Sequence, residues 1–131
     1  AAAVVAAAAT AGSVDLGYDV GQAARVITNL TGQVSGNLPS PRSSMGLATA
    51  GGKLYLFGGQ GETGLLNDLY RFNPSINTWT LFNATEPPSP RLGHAMAASD
   101  DGAAVYVWGG IDTQGEFPLA VYRLDVGQMA W

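Results

Sequence analysis

Two long stretches of this chain spell nearly the same pattern about 50 residues apart. A chain that repeats at that period folds as copies of one small unit stacked side by side. The first copy runs Pro39-Ser40-Pro41-Arg42, then Lys53 to Gly59 (KLYLFGG), then Asp68 to Phe72 (DLYRF), then Trp79. The second runs Pro88-Ser89-Pro90-Arg91, then Ala104 to Gly110 (AVYVWGG), then Ala120 to Leu124 (AVYRL), then Trp131. The arginines stand 49 residues apart, the Gly-Gly pairs 51, and the matching tyrosines and tryptophans 52, so the length drift falls between motifs, where loops belong. A shorter echo, Asp19 to Gln22, recurs word for word as Asp125 to Gln128. Its spacing makes Gly17 to Leu30 the last two strands of a preceding unit.

Each full copy reads as four short strands. In the first copy these are Ser43 to Ala50, Leu54 to Phe57, Leu69 to Phe72 and Thr78 to Phe82. The second strand is continuously apolar, as a strand buried on both faces must be. The fourth is rich in aromatic and β-branched residues. Turn formers separate them: Gly51-Gly52, Asn73-Pro74-Ser75, and the Pro-rich stretch from Glu86 to Pro90. No segment carries helical periodicity of useful length. The expected fold is all-β, about two and a half four-stranded antiparallel blades of a propeller. Its segments are an Ala-rich stretch (1–12), the last strands of a preceding or closing blade (13–38), one blade (39–87) and another (88–131).

The Pro-Arg lead-in, the Gly-Gly doublet closing the second strand, the third-strand tyrosine and the fourth-strand tryptophan together resemble the kelch repeat. The resemblance covers about residues 15 to 131 and implies a kelch-type β-propeller. Gly58, Gly59, Tyr70 and Trp79, with Gly109, Gly110, Tyr122 and Trp131, are its structural positions. Two departures stand out. Ser44-Met45 in the first copy faces Gly93-His94 in the second, and Asp68 faces Ala120. The glycine doublets let neighbouring backbones approach, so Gly58→Val or Gly109→Val is expected to clash. Tyr55, Tyr106, Trp79 and Trp131 are expected to supply apolar area between blades. A propeller closes with about 4 to 8 blades, so the remaining blades are expected elsewhere in the same chain or in another.

Composition narrows the function. Six basic residues against ten acidic ones give a net charge of −4, which cannot build the basic footprint of a nucleic-acid binder. With no cysteine there is no disulfide frame, thiolate metal site or thiol nucleophile. The single histidine, His94, excludes any two-imidazole site within this stretch and reads as a structural, hydrogen-bonded histidine at the start of an inner strand. Kelch-like copper-radical oxidases need two histidines and a cross-linked cysteine, which this stretch lacks. The iron-dependent plant relatives need a Glu/Asp/His cluster of a spacing that does not occur here. Gly58 to Gly64 lacks the Lys and Ser/Thr of a phosphate loop, and Asp112 to Glu116 matches no calcium loop. No catalytic residue, metal or cofactor is therefore expected.

Antiparallel alternation puts the loops 60–67, 83–88 and 111–119 at one end of the blades. They are the longer ones and carry Glu62, Asp68, Glu86, Asp112 and Glu116. A protein partner is expected there, contacting Glu62, Leu65, Leu66, Asp112, Glu116 and Phe117, since binding loops sit on rigid scaffolds. Asn29 and Asn83 each open an N-glycosylation sequon just after a fourth strand. The apolar run Ala1 to Ala11 is too short to span a membrane. It reads either as the end of a signal peptide cleaved after Ala9-Thr10-Ala11 or as a low-complexity tract. Both chain ends read as cuts in a longer polypeptide. The leading expectation is a non-catalytic interaction or assembly module, extracellular and glycosylated. The alternatives are the propeller of a carbohydrate-active oxidase with its site in other blades, or a cytoplasmic kelch adaptor.

Overall fold

A computed structural model describes residues 28–131. They belong to two units, Ala1–Gln33 and Val34–Trp131. In the first, Asn29 Oδ1 accepts the Thr31 N–H at 2.9 Å and the Gln33 N–H donates to the Leu30 carbonyl at 2.8 Å, forming a short turn. The Ala1 to Ala11 run, the Asp19 to Gln22 echo and most of the expected preceding unit lie outside the described residues.

The second unit is built only of strands: β1 (Ser35–Gly36), β2 (Gly46–Ala50), β3 (Lys53–Gln60), β4 (Leu65–Asn73), β5 (Thr78–Phe82), β6 (Arg91–Leu92), β7 (Ala95–Ala98), β8 (Ala104–Trp108), β9 (Ile111–Asp112) and β10 (Val121–Asp125). The described residues contain no helix. Strands β2 to β5 form an antiparallel meander, the first blade. β1 adds to its outer edge, parallel to β5, through Ser35 N–H to Asn77 O and Asn37 N–H to Trp79 O, both 3.0 Å. This covers an edge that would otherwise present unpaired backbone groups. The second blade has three strands in the order β10-β8-β7. Where a fourth strand was expected, Ala130 makes a single bridge to Asp125. β6 and β9 pair beside the second blade, at the end where its longest loop lies.

Two strands run longer than the sequence suggested. β3 continues through the Gly-Gly pair to Gln60, and β4 begins at Leu65, not Leu69. A bulge between Phe57 and Gly59 absorbs the doublet without ending the strand. Gly58 and Gly59 hold φ of 64° and 99°, which side chains strongly disfavour. A Cβ would sit 2.9 Å from the Arg91 carbonyl at Gly58 and 2.7 Å from the Ser43 carbonyl at Gly59. Gly110 meets the Leu92 carbonyl in the same way, but Gly109 faces open space. The close approach behind the clash expected for Gly109→Val is therefore missing at the Cβ, and the φ of 72° is what constrains that position.

Strand alternation gives each blade two faces. On the front of the first blade stand Ala48, Tyr55, Phe57 and Leu69; on the back of the second stand Met96, Val105, Val107 and Leu124. These two faces pack together as the main core. Trp131 closes against Phe57, edge to face, with ring centroids 5.0 Å apart. Each fully buried aliphatic or aromatic side chain here contributes about 1.5–3 kcal/mol. On the first blade's back, Trp79 packs on Tyr70 and Phe72.

Candidate functional site

The two lead-in arginines define the loop-rich end. Pro41 and Pro90 deprive the chain of strand hydrogen bonds there, and each arginine turns back to anchor its own lead-in. Arg42 donates from Nε to the Ser40 carbonyl (3.1 Å), from Nη2 to Ser40 Oγ (3.0 Å) and from Nη1 to the Gly58 carbonyl (3.2 Å). Arg91 repeats this with Ser89 O (3.1 Å), Ser89 Oγ (3.0 Å) and Gly109 O (2.9 Å). Each guanidinium also lies over the third-strand tyrosine of its blade, Tyr70 or Tyr122.

One difference separates them. Arg42 forms a bidentate ion pair with Asp68, Nη1 to Oδ1 and Nη2 to Oδ2, the latter at 2.9 Å. At the Asp68 position the second blade has Ala120, and Arg91 is wholly buried with no carboxylate partner among the described residues. Burial, then the Asp68 carboxylate, raise the Tyr70 hydroxyl above its ordinary pKa, with Arg42 pulling the other way.

His94 follows Arg91 into the seam between the blades. Its ring lies edge-on to Phe57 at 5.5 Å, and neither ring nitrogen has a hydrogen-bond partner, so the hydrogen-bonded role expected from sequence is not met and packing alone holds the ring. Gly46 of the first blade makes room for it: a Cβ there would stand 2.4 Å from Nε2. Burial, then the Arg91 guanidinium, hold its pKa below the usual imidazole value; the Phe57 carbonyl opposes this from outside hydrogen-bond geometry.

Hairpin β3–β4 narrows at Gln60–Leu65, so its loop is the four residues 61–64, closed by Gly61 N–H to the Gly64 carbonyl at 2.9 Å. Of the residues expected to meet a partner, Glu62 is exposed on this tip, whereas Leu65 and Leu66 are half-buried strand residues. Asp112 is buried, and its Oδ1 accepts the Gln114 and Glu116 N–H groups at 2.9 and 3.0 Å. It shapes the loop instead of presenting charge. That turn projects Glu116 and Phe117 outward, Phe117 being 70% and Leu119 83% exposed. Phe117 and Leu119 line a shallow cleft together with Gly93, Ala95 and Trp108. Leu119 and Trp108 were not among the expected contact residues. Asn83 is exposed on the connector between the blades, and Asn29 is exposed in the first unit.

Among the described residues, no group of three or more His, Cys, Asp or Glu could hold a metal ion, and no helix is long and apolar enough to cross a membrane.

Residues 24–131 match the KLHDC2/KLHL20/DRC7 Kelch-repeats domain. Among curated proteins, N-(sulfonatooxy)prop-2-enimidothioate sulfolyase of Thlaspi arvense is 39% identical over 103 residues, 76% of this chain and 29% of that protein. N-acetylneuraminate epimerase of Pasteurella multocida is 40% identical over 70 residues, 50% of this chain and 18% of its own. The host cell factor homolog hcf-1 of Caenorhabditis elegans is 34% identical over 85 residues, 60% of this chain and 11% of its own. The chain thus spans less than a third of the length of each of these relatives.

Proposed function

From the premise that this chain belongs to the kelch-repeat family, we propose that it is a non-catalytic protein-interaction module whose partner docks at the loop-rich end. Kelch-repeat domains are in general interaction modules, and relatives such as hcf-1 carry no enzyme name. The observation that carries the reading is the loop between β9 and β10. A buried carboxylate rigidifies its turn, and the turn holds Phe117 and Leu119 out into solvent, at the same end of the blades as Glu62 and Glu116. Apolar anchors on an ordered loop with an acidic surround suit a partner with an apolar pocket and a basic rim. A photo-crosslinking amino acid at position 117 tests this in an extract of the source cells. The control places it at Ile76, which is exposed in a turn at the opposite end. A discrete adduct from 117 and none from 76 supports the proposal. Equal labelling from both sites refutes it.

The propeller is further proposed to be extracellular, with glycans on Asn29 and Asn83. Both are exposed, and each opens a sequon. A fall in intact mass on enzymatic removal of N-glycans tests it; unmodified asparagines favour a cytoplasmic adaptor. A second reading has some support, because two of the relatives bear enzyme names. On that reading the chain is the propeller part of an enzyme whose site lies in other blades, and a stoichiometric metal in the complete protein favours it.

A further inference from the structure

His94 is a buried polar side chain without a polar partner, and it sits where the two blades meet at the loop-rich end. Three glycines make its cage. A Cβ at Gly46 of the first blade would stand 2.4 Å from Nε2, and one at Gly58 would stand 3.1 Å from Cε1. One at Gly110 of the second blade would stand 3.0 Å from the His94 Cβ. Phe57 meets the ring edge to face, and the Met96 thioether shares the Gly46 notch. The preceding residue, Gly93, donates its N–H to the Ser44 carbonyl at 2.8 Å, a backbone hydrogen bond from the second blade to the first. A neutral imidazole fits this apolar cage. An imidazolium carries two N–H donors that need acceptors, and a thioether is a weak one. The Phe57 carbonyl lies outside hydrogen-bond geometry.

We propose that His94 is a proton-operated latch: neutral, it holds the two blades together at this end, and protonated, it leaves the glycine cage and lets the seam open there while each blade keeps its own sheet. The charges around it set the direction. Arg91 of β6 carries the same sign as an imidazolium and is wholly buried. Among the described residues, two acids stand on the elements packed against this corner, and both are engaged. Asp68 of β4 is bound bidentately by Arg42. Asp112 of β9, opposite Arg91 in register, accepts two backbone N–H groups. Neither forms an ion pair with His94. β2 carries no titratable side chain, Lys53 of β3 and Arg71 of β4 add only positive charge, and the tyrosines of β3, β4 and β8 stay neutral at these pH values. An imidazolium is thus better served by water than by the cage. Burial, then Arg91, hold the folded pKa below the ordinary value, so the open seam binds the proton first. The latch is shut above about pH 6.5 and opens as pH falls below it. The inference concerns the joint between the blades and does not depend on a partner at Phe117.

The chain has no cysteine and one histidine, so each reporter is unambiguous. Val107→Cys puts a thiol in the buried seam, Leu56→Cys puts one on the buried back of the first blade, and Ile76→Cys puts one in solvent. Each thiol is reacted with an aromatic disulfide between about pH 7.5 and 5.5, and its rate is taken relative to Ile76→Cys at the same pH. Below about pH 6.5 the relative rate at Val107→Cys should rise by up to about tenfold per pH unit, while that at Leu56→Cys stays unchanged. The rise should vanish when His94→Met or His94→Leu fills the cage with an apolar side chain. In proton NMR of the 131-residue chain the lone imidazole should take up its proton over the same range. Seam protection that does not change with pH overturns the latch, and so does an imidazole that takes up its proton while the Val107→Cys thiol stays protected. Equal loss of protection at Leu56→Cys means that the whole fold opens, and overturns the local joint. A rise that survives both His94 substitutions belongs to another group, and overturns the part given to His94.

Discussion

Arg42 and Arg91 sit in nearly identical cradles, and only one has a counter-ion, so the molecule contains its own control for what the ion pair contributes. Asp68→Ala should turn the first cradle into a copy of the second. Breaking a buried pair usually costs about 3–5 kcal/mol, because the remaining charge is stranded. Here the loss should be smaller, for two reasons. The Asp68 side chain is 28% exposed, so solvent already screens part of the attraction. The freed guanidinium also keeps the Ser40 and Gly58 acceptors, the arrangement in which the second blade holds Arg91 with no carboxylate at all. Two charge-assisted hydrogen bonds, less the aspartate's own desolvation, leave roughly 1.5–3 kcal/mol.

The reverse substitution, Ala120→Asp, should supply the missing partner. Position 120 is exposed, so the new side chain gives up rotamer freedom and gains in a more solvated place. We expect about 0.5–1.5 kcal/mol of stabilisation. Urea unfolding of the two variants and the parent, read at constant m-value, measures both. If Asp68→Ala leaves the midpoint unchanged, the pair is ornamental and the cradle carbonyls hold the arginine alone. If Ala120→Asp destabilises, Arg91 is not short of a counter-ion and the equivalence of the two cradles is wrong.

His94 makes stability pH-dependent. Its folded pKa lies below the unfolded value of about 6.5, so the unfolded chain binds the proton first. Its contribution is full above that value and is lost as pH falls toward the folded pKa, by at most about 1.4 kcal/mol per unit; His94→Met, which installs the first copy's residue, should flatten that slope in urea titrations between pH 5 and 8. Gly59→Ala combines a positive φ with contact to the Ser43 carbonyl and should cost about 1–3 kcal/mol, whereas Gly109→Ala, with open space, should cost less; thermal melts that rank them the other way count against this close approach within the first blade. Trp79→Ala removes a ring packed on Tyr70 and Phe72 and should cost up to about 3–5 kcal/mol, with a wild-type denaturation midpoint contradicting that packing.

The repeat made the strands legible because strand positions depend on alternation and turn chemistry, both written locally. β5 runs Thr78–Phe82, as its aromatic and β-branched residues imply. The ends of β3 and β4 were not legible: a Gly-Gly pair reads as a stop, and only the facing chain shows that a bulge carries the ladder past it to Gln60 and Leu65. The candidate site divides in the same way. Phe117 on a polar loop could be singled out from sequence. The burial of Asp112 could not, because an aspartate that accepts two backbone N–H groups looks the same in sequence as one offered to solvent. The Asp68 to Ala120 change was visible as a letter, but its meaning needed both arginine cradles in view.

The same asymmetry explains why two blades do not complete a molecule. Tyr55, Phe57 and Leu69 stand on one face of the seam and a different set, Val105, Val107 and Leu124, on the other, so a front meets a back, and not another front by two-fold symmetry. Every contact of this kind is heterologous and leaves another front uncovered. Such a stack either runs on or curves until the last front meets the first back. Strand twist rotates each blade against its neighbour, so the stack curves, and closure with about 4 to 8 blades follows. On this argument the exposed Tyr106, Trp108 and Val121 are the unfinished half of a seam whose other half is already seen at Tyr55, Phe57 and Leu69. A substitution there, such as Trp108→Glu, should therefore leave the two blades folded and abolish only the addition of a third.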